Sequence, residues 1–292
     1  MNKQKVKFII NPISGVGKQK KIAEVIKKTI DTQLFEYEIA YTKAPRHAVE
    51  LSKQAVSENY DIVAAVGGDG SVNEVGTALI GSNTALAIIP IGSGNGLARH
   101  IGISTNIKKA IVILNAGRII AIDTISVNQN KYIGIGGVGF DAHIAHEFAN
   151  YGKRGFKSYL KLIWREFPKY KSKNYDLIID GQFVSKNAFL ICVANSSQFG
   201  NNAVIAPDAD IQDGFMEVCI LKKVPFVFLV PLIFRLFNKT VNRSSFIETI
   251  RCQSIIIKNN EGSLVHLDGE PRLLEGELNF QIKPLSLKIL VP

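Results

Sequence analysis

The chain has 292 residues, of which 46% are apolar and 21% charged, with a formal net charge of +10. That apolar share supports a sizeable core and excludes a disordered chain, and the length predicts one large domain or two medium ones. The surplus of cations suits an anionic partner such as a nucleotide or an acidic lipid surface. Cys192, Cys219 and Cys252 are far apart and form no CxxC, which argues against a disulfide framework or a zinc site and for a reducing compartment.

The opening "MNKQKVKFIINP" has no apolar signal region and no small-residue cleavage site, so no secretory signal is expected. "VKFIINP" is a short apolar run, and "KQKKIAEVIKKTI" sets Ile22, Val25, Ile26 and Ile30 on one helical face. "EYEIAYT" alternates as a strand, "HAVELSKQAVSEN" reads as a helix and "DIVAAV" as a buried strand. "VNEVGTALIG" is helical, "ALAIIPI" is a strand again, and "NGLARHIGI" opens another helix. This rhythm over residues 1–124 predicts an α/β domain with a mostly parallel sheet covered on both faces. Ligands of such sheets sit at the carboxyl ends of the strands. Three turns rich in glycine or proline fall there: "NPISGVGK", "GGDGSVNE" and "IGSGNGLA".

The second of these poses a chemical question. Gly67, Gly68 and Gly70 permit backbone angles closed to other residues and a close approach by a ligand. Ser71 with Glu74 reads as a capping box, which starts a helix whose amides face the turn and attract phosphate. Asp69 would repel that phosphate unless a cation lies between them. The plainer alternative is a tight turn with Asp69 in solvent.

After Asp123 the texture changes. "DTISVNQNKYIGIGGVGF", "YDLIIDGQFVSKNAFLICVANS", "MEVCILKK", "IRCQSIIIKNN", "VHLDGEP" and "LNFQIKP" alternate over short lengths between turns, which predicts antiparallel structure and a second domain over 125–283. The final strand, about 284–292, can return to either sheet. The stretch from Tyr151 to Asn174 is helical and basic. Leu160, Ile163, Trp164 and Phe167 share one face, and Lys157, Lys161 and Arg165 form a row. Such a helix, here 157–167, either rests on an anionic membrane or covers a sheet with its charges solvated. "VPFVFLVPLIFRLF" is too short to span a bilayer and contains Pro225, Pro231 and Arg235, so a buried or interfacial helix is expected.

Two nucleotide patterns fail. A phosphate-binding P-loop needs glycine where Pro12 stands and Ser or Thr where Gln19 stands. "GIGGVG", Gly134 to Gly139, matches GxGxxG but lies in the β-rich half, and residue 159, where a ribose-binding acid would fall, is Tyr.

"NPISG", "GGDGSVNEV", "IPIGSGNGLA", "GFDA", "PDADIQDGFMEV" and "LDGEP" occur in the order seen in the diacylglycerol kinase catalytic family, which the chain resembles nearly end to end. That family includes bacterial soluble lipid kinases and the sphingosine and ceramide kinases. GGDG alone is weak, since NAD kinases and phosphofructokinases carry it too. The resemblance implies a Rossmann-like, NAD-kinase/phosphofructokinase-like α/β domain followed by a β-rich antiparallel sandwich, with the acceptor and nucleotide in a cleft between them. It implies ATP contacts from Asn11, Pro12, Ser14 and Gly15, from Gly67, Gly68, Asp69, Gly70, Ser71, Asn73 and Glu74, and from Thr42, Ser93, Gly94 and Asn95. It implies magnesium (Mg2+) ligands in Asp210, Asp213 and the carbonyl of Phe215, a general base in Asp268, and Glu270 joining Asp69 in a network of water and metal. On their own, these segments read as an acidic turn and an Asp-Gly hairpin turn.

The chain departs from the family's habits at three places. Arg46-His47-Ala48 stands where Gly-His-Ala is common, Ser93 where Thr is frequent, and Gly96 where Asp often follows Asn. The implied activity is ATP-dependent phosphorylation of diacylglycerol or a related lipid, such as a sphingoid base or phosphatidylglycerol. Its setting would be the cytoplasm, peripheral at the inner membrane surface, and a homodimer is compatible with it. The alternatives are a NAD kinase and a non-catalytic regulator binding lipid or nucleotide. "PDADIQDGF" and "NPISG" suit lipid kinases better than NAD kinases, and the required acids are all present. Nucleic acid is not expected as a partner, because the basic residues are dispersed and no recognition motif accompanies them.

Overall fold

The computed structural model describes residues 3–14, 19–152, 155–259 and 262–292. The chain forms two compact units, Met1–Ile122 with Leu285–Pro292, and Asp123–Pro284.

The first unit runs β1 (Gln4–Ile10), α1 (Gln19–Thr29), β2 (Phe35–Tyr41), α2 (His47–Ser57), β3 (Ile62–Gly67), α3 (Asp69–Leu79), β4 (Ala85–Pro90), α4 (Gly96–His100) and α5 (Ile107–Ala116). Its strands are parallel in the order β2-β1-β3-β4. Every residue of β3 and β4 is buried, as expected of short apolar runs covered on both faces. Near the chain's end, Ile289 pairs in parallel with Leu86 of β4. Helix α5 is absent from the expected elements. Its signals are local: Asn106 caps it by accepting from the Lys109 amide, and Ala110, Ile111 and Leu114 form its buried face.

The strand β5 (Arg118–Val127) leads into the second unit. There follow β6 (Asn130–Tyr132), β7 (Ile135–Gly139), α6 (Phe140–Asn150), α7 (Phe156–Glu166), β8 (Lys173–Ile179), β9 (Gln182–Ala188), β10 (Leu190–Ala194), β11 (Met216–Leu221) and α8 (Phe226–Phe237). The unit closes with β12 (Ile247–Cys252), β13 (Ser254–Lys258), β14 (Ser263–Leu267), β15 (Glu270–Leu274) and the first part of β16 (Leu278–Val291). One sheet has the order β12-β11-β10-β7-β14-β15 and is antiparallel throughout. The other pairs β16, β13, β8 and β9, with β5 and β6 beside them.

Strand β10 shows how its sequence serves two layers. Ile191 and Val193 face the interior of the sandwich, packing with Leu177, Ile255 and Phe280, while Cys192 and Ala194 face the helices with Phe140 and Phe189. Tyr132 is fully buried in the sandwich and donates its hydroxyl to the Val193 carbonyl at 3.0 Å. All three cysteines are free and buried, and burial pushes the thiols of Cys219 and Cys252 up to about 12.

The basic helix buries a different face from the expected one. Leu162 and Phe167 are its deeply buried residues, whereas Trp164 is 42% exposed and meets the ring of Phe226 at 5.8 Å. Lys223, just before α8, donates to the carbonyls of Phe167 and Tyr170 at the end of α7 and lies over the rings of Phe167 and Phe189. A cation suits that helix end, and its burial lowers the ammonium's affinity for its proton.

Candidate active site

In the first unit, three turns follow the ends of the neighbouring strands β1, β3 and β4, and side chains tie them together. Asn11 donates from Nδ2 to Ser71 Oγ at 3.1 Å, while its Oδ1 accepts the Ile13 amide at 3.0 Å. The Ser14 amide bonds the Asn11 carbonyl, Pro12 is exposed, and Gly15 lies outside the described residues. Thr42, at the end of β2, donates its amide to the Ile10 carbonyl at 3.0 Å.

The expected capping box does not form. Helix α3 begins at Asp69, with Gly68 as its cap, and no side chain caps it. Ser71 is committed to Asn11, and Glu74 accepts the amide of Arg46 at 3.1 Å. Arg46 itself is left-handed, at φ 66° and ψ −1°, where it caps α2. Glycine adopts this backbone conformation at little cost, and here an arginine holds it.

The glycines also serve otherwise than expected. None of Gly67, Gly68 and Gly70 is left-handed. A Cβ on Gly67 would fall 2.3 Å from Ser71 Cβ, and one on Gly92 would fall 2.4 Å from the Gly68 Cα. The second and third turns therefore touch main chain to main chain.

Asp69 completes the link. Its Oδ2 accepts the Asn95 amide at 2.8 Å and its Oδ1 the Gly96 amide at 2.7 Å. That contact uses the main chain, so it is indifferent to the side chain at 96. Asn95 is left-handed at φ 55°, and its Nδ2 donates to the Gly92 carbonyl at 2.9 Å. The Arg99 Nε donates to the Gly94 carbonyl at 3.1 Å, beside the exposed Ser93. Asn73 is buried in the first turns of α3. An eleven-residue helix thus begins among cross-tied turns lined by main chain, an arrangement suited to an anion.

In the second unit, Asp268 and Gly269 form the two-residue turn joining β14 to β15, with φ 50° and 84°. Both positive angles are what a tight hairpin of this kind requires. The Asp268 carboxylate accepts three amides, from Ile133 at 3.0 Å, Gly134 at 2.8 Å and Ile135 at 2.9 Å. Here the "GIGGVG" run finds its use. Its glycines lie at the start of β7 and along it, and a Cβ on Gly134 would stand 2.9 Å from Asp268 Oδ1. Glu270, next along the hairpin, bridges Arg272 at 3.5 Å.

The acidic loop before β11 is knit by its own amides. Asp210 Oδ1 accepts the Gln212 amide and Asp213 Oδ1 that of Phe215, both at 2.9 Å. Asp213 Oδ2 meets Arg251 at 2.8 Å, and that guanidinium stacks on the Phe215 ring at 4.2 Å. Buried Asp123 holds the Gly214 amide at 2.7 Å. Among the described residues no group of three or more His, Cys, Asp or Glu side chains gathers as a metal-binding cluster. Magnesium often keeps waters with one or two carboxylates; the oxygen donors this loop offers are Asp210, Asp213 and the Phe215 carbonyl, with Asp213 already paired to Arg251.

One pair escaped the sequence reading. His266 Nε2 lies 3.0 Å from Asp141 Oδ2, both residues are buried, and Asp141 Oδ1 accepts the Ala142 amide. Among the described residues His266 Nδ1 is buried with no hydrogen-bond partner. The signals were at hand in "GFDA" and in a histidine two residues before Asp268, but nothing local joins them.

Residues 5–127 match the family model of the diacylglycerol kinase catalytic domain, and residues 134–291 match that of the YegS C-terminal NAD kinase beta sandwich-like domain. The diacylglycerol kinase of Bacillus subtilis (strain 168) is 27% identical over 275 residues, which covers 91% of this chain and 90% of that one. A Klebsiella pneumoniae (strain 342) protein named "Probable lipid kinase YegS-like" is 29% identical over 251 residues, covering 84% and 82%. The crystal structure of a diacylglycerol kinase from Bacillus anthracis str. Sterne shares the fold with a TM-score of 0.75 at 20% identity, over 100% of this chain and 98% of that one. The parallel α/β unit, the antiparallel sandwich and these matches together establish that the chain belongs to the diacylglycerol kinase catalytic-domain family of lipid kinases.

Proposed function

We propose that the protein transfers the γ-phosphoryl group of ATP to the hydroxyl of diacylglycerol or a related lipid, a sphingoid base or phosphatidylglycerol among them. The observation that carries this reading is the set of three cross-tied turns at the strand ends of the first unit, with Asp69 holding the amides of Asn95 and Gly96. In this reading Asn11 to Gly15, Thr42, the Gly67–Glu74 turn and Ser93–Asn95 hold the triphosphate. Main-chain donors and a helix start suit its charge. The acceptor oxygen attacks the γ-phosphorus, the bond to the β–γ bridging oxygen breaks, and ADP leaves. Asp268 takes the hydroxyl proton, a task worth about 10²–10⁴-fold, and Glu270 is the second carboxylate of the hairpin.

Magnesium would be held by Asp210, Asp213 and the Phe215 carbonyl. When bound, it neutralises charge on the phosphates. A lipid acceptor places the work at a membrane surface, and the basic 157–167 helix suits the anionic cytoplasmic leaflet. No helix among the described residues is long and apolar enough to cross a membrane.

The test is a radiolabelled-ATP assay against dispersed lipids and against NAD, with magnesium present and absent. Label on a lipid hydroxyl only when magnesium is present is the expected result. Label on NAD, or on no lipid at all, would overturn the proposal.

A further inference from the structure

Helix α8 is apolar on two faces. Leu229 and Leu232 turn inward, at 5% exposure each. On the opposite side, Phe226, Val227, Val230, Phe234 and Phe237 are exposed by 61%, 75%, 63%, 67% and 40%. At about 100° per residue these five fall within one arc of roughly 100°, and Phe228, 49% exposed, widens the apolar surface beyond that arc. A surface helix ordinarily carries its polar residues there. This one carries a single charge, Arg235, in twelve residues.

The neighbouring helix extends the patch. Trp164, the chain's single tryptophan, meets Phe226 and points outward from α7, where Lys157 and Lys161 lie on the same exposed side. Among the described residues neither lysine makes an ion pair. Lys222 and Lys239 stand exposed just before and just after α8. A hollow beside the stripe is lined by Val230, Pro231, Phe234, Arg235 and Thr240.

We infer that this face is where the protein enters an anionic bilayer, with α8 lying in the plane of the interface, its phenylalanine stripe among the acyl chains and the lysines of α7 on the headgroups. At twelve residues α8 is about 18 Å long, too short to span a core of about 30 Å and long enough to lie on it. An aromatic residue with an indole N–H belongs at that boundary. Pairing with a second copy is the rival occupant, and charge opposes it. A twofold interface would set the lysine rim of one copy against that of the other, whereas lipid phosphates complement it. The inference goes beyond the expected contact through 157–167 by assigning insertion to α8. It concerns binding alone, so it stands or falls separately from the kinase reading.

Trp164 reports on the patch directly. With vesicles of phosphatidylcholine and phosphatidylglycerol, the protein should sediment and its tryptophan emission should shift to the blue. With phosphatidylcholine alone, binding should be weaker. Val227→Ser with Phe234→Ser should cut partitioning by about tenfold or more, with unchanged far-ultraviolet circular dichroism. Lys157→Glu with Lys161→Glu should abolish the preference for phosphatidylglycerol, as should high salt. Three results would overturn the inference: no sedimentation with either vesicle, sedimentation without a tryptophan shift, or full binding by the double serine variant. A vesicle-free dimer that the same serine variant dissociates would also overturn it, by giving the face to a second copy.

Discussion

Asp69 and Asp268 occupy corresponding chemical positions in very different backbones. Each stands beside glycine, and each spends its carboxylate on main-chain amides, two for Asp69 and three for Asp268. Asp69 opens a helix after a parallel strand and ties one turn to its neighbour. Asp268 sits left-handed at the tip of an antiparallel hairpin and is gripped by the strand beside it. Motif acids in this chain are therefore structural fasteners as well as candidates for chemistry, and substitution must separate the two roles.

The sharpest separation comes at Asp268. Asp268→Asn keeps a carbonyl oxygen for the amides of Gly134 and Ile135, so the fold and ATP binding should survive while turnover falls by about 10²-fold or more. A companion Glu270→Gln assay shows which carboxylate of the hairpin takes the proton, since only the proton acceptor should lose the full amount.

Asp69→Ala should act first on stability. Two amides lose their acceptor, at a cost of about 1–3 kcal/mol, read by denaturant unfolding of the pure protein. Unchanged stability would break the comparison, because Asp69 would then be no fastener at all.

Glu217 is the contrasting acid. It lies on β11 at 8% exposure, and burial raises its affinity for a proton, while Arg251 across the strand pair partly opposes the rise. A carboxyl group raised in the folded state binds protons there more readily than in the unfolded chain, so stability falls as pH climbs from its ordinary value through the raised one. Glu217→Gln should remove that decline, measured as a flatter dependence of unfolding free energy on pH between about 4.5 and neutrality.

The smallest effect is expected at Arg46. A left-handed arginine costs about 1–2 kcal/mol, and glycine's greater freedom in the unfolded chain returns part of that. Arg46→Gly should therefore stabilise by about 0.5–1 kcal/mol, a rise in Tm of at most ~3 °C.

Much of the architecture was legible because it rests on periodicity. "DIVAAV" and "ALAIIPI" read as covered parallel strands, and β10 alternates between two layers as its residues demand. What local pattern could not supply was the destination of side chains. Ser71 and Glu74 have capping-box spacing, yet each is taken by a residue far away in sequence, Asn11 and Arg46. Gly67 and Gly68 looked like conformational devices and turned out to be places of close approach. "GIGGVG" matched a nucleotide pattern by sequence while its actual neighbour, Asp268, lies 134 residues on from Gly134. Asp141 and His266 were each visible, but only the pairing of β7 with β14 brings them within 3.0 Å.

Gly134 carries a practical consequence. A methyl group there would stand 2.9 Å from the Asp268 oxygen and 3.1 Å from Ser196 Oγ. Replacing this glycine with alanine would push the hairpin's aspartate off its seat without altering that aspartate. A survey of natural or laboratory variants that looked only at acidic positions would miss it, and a silenced enzyme with every carboxylate intact would be the sign to look at residue 134.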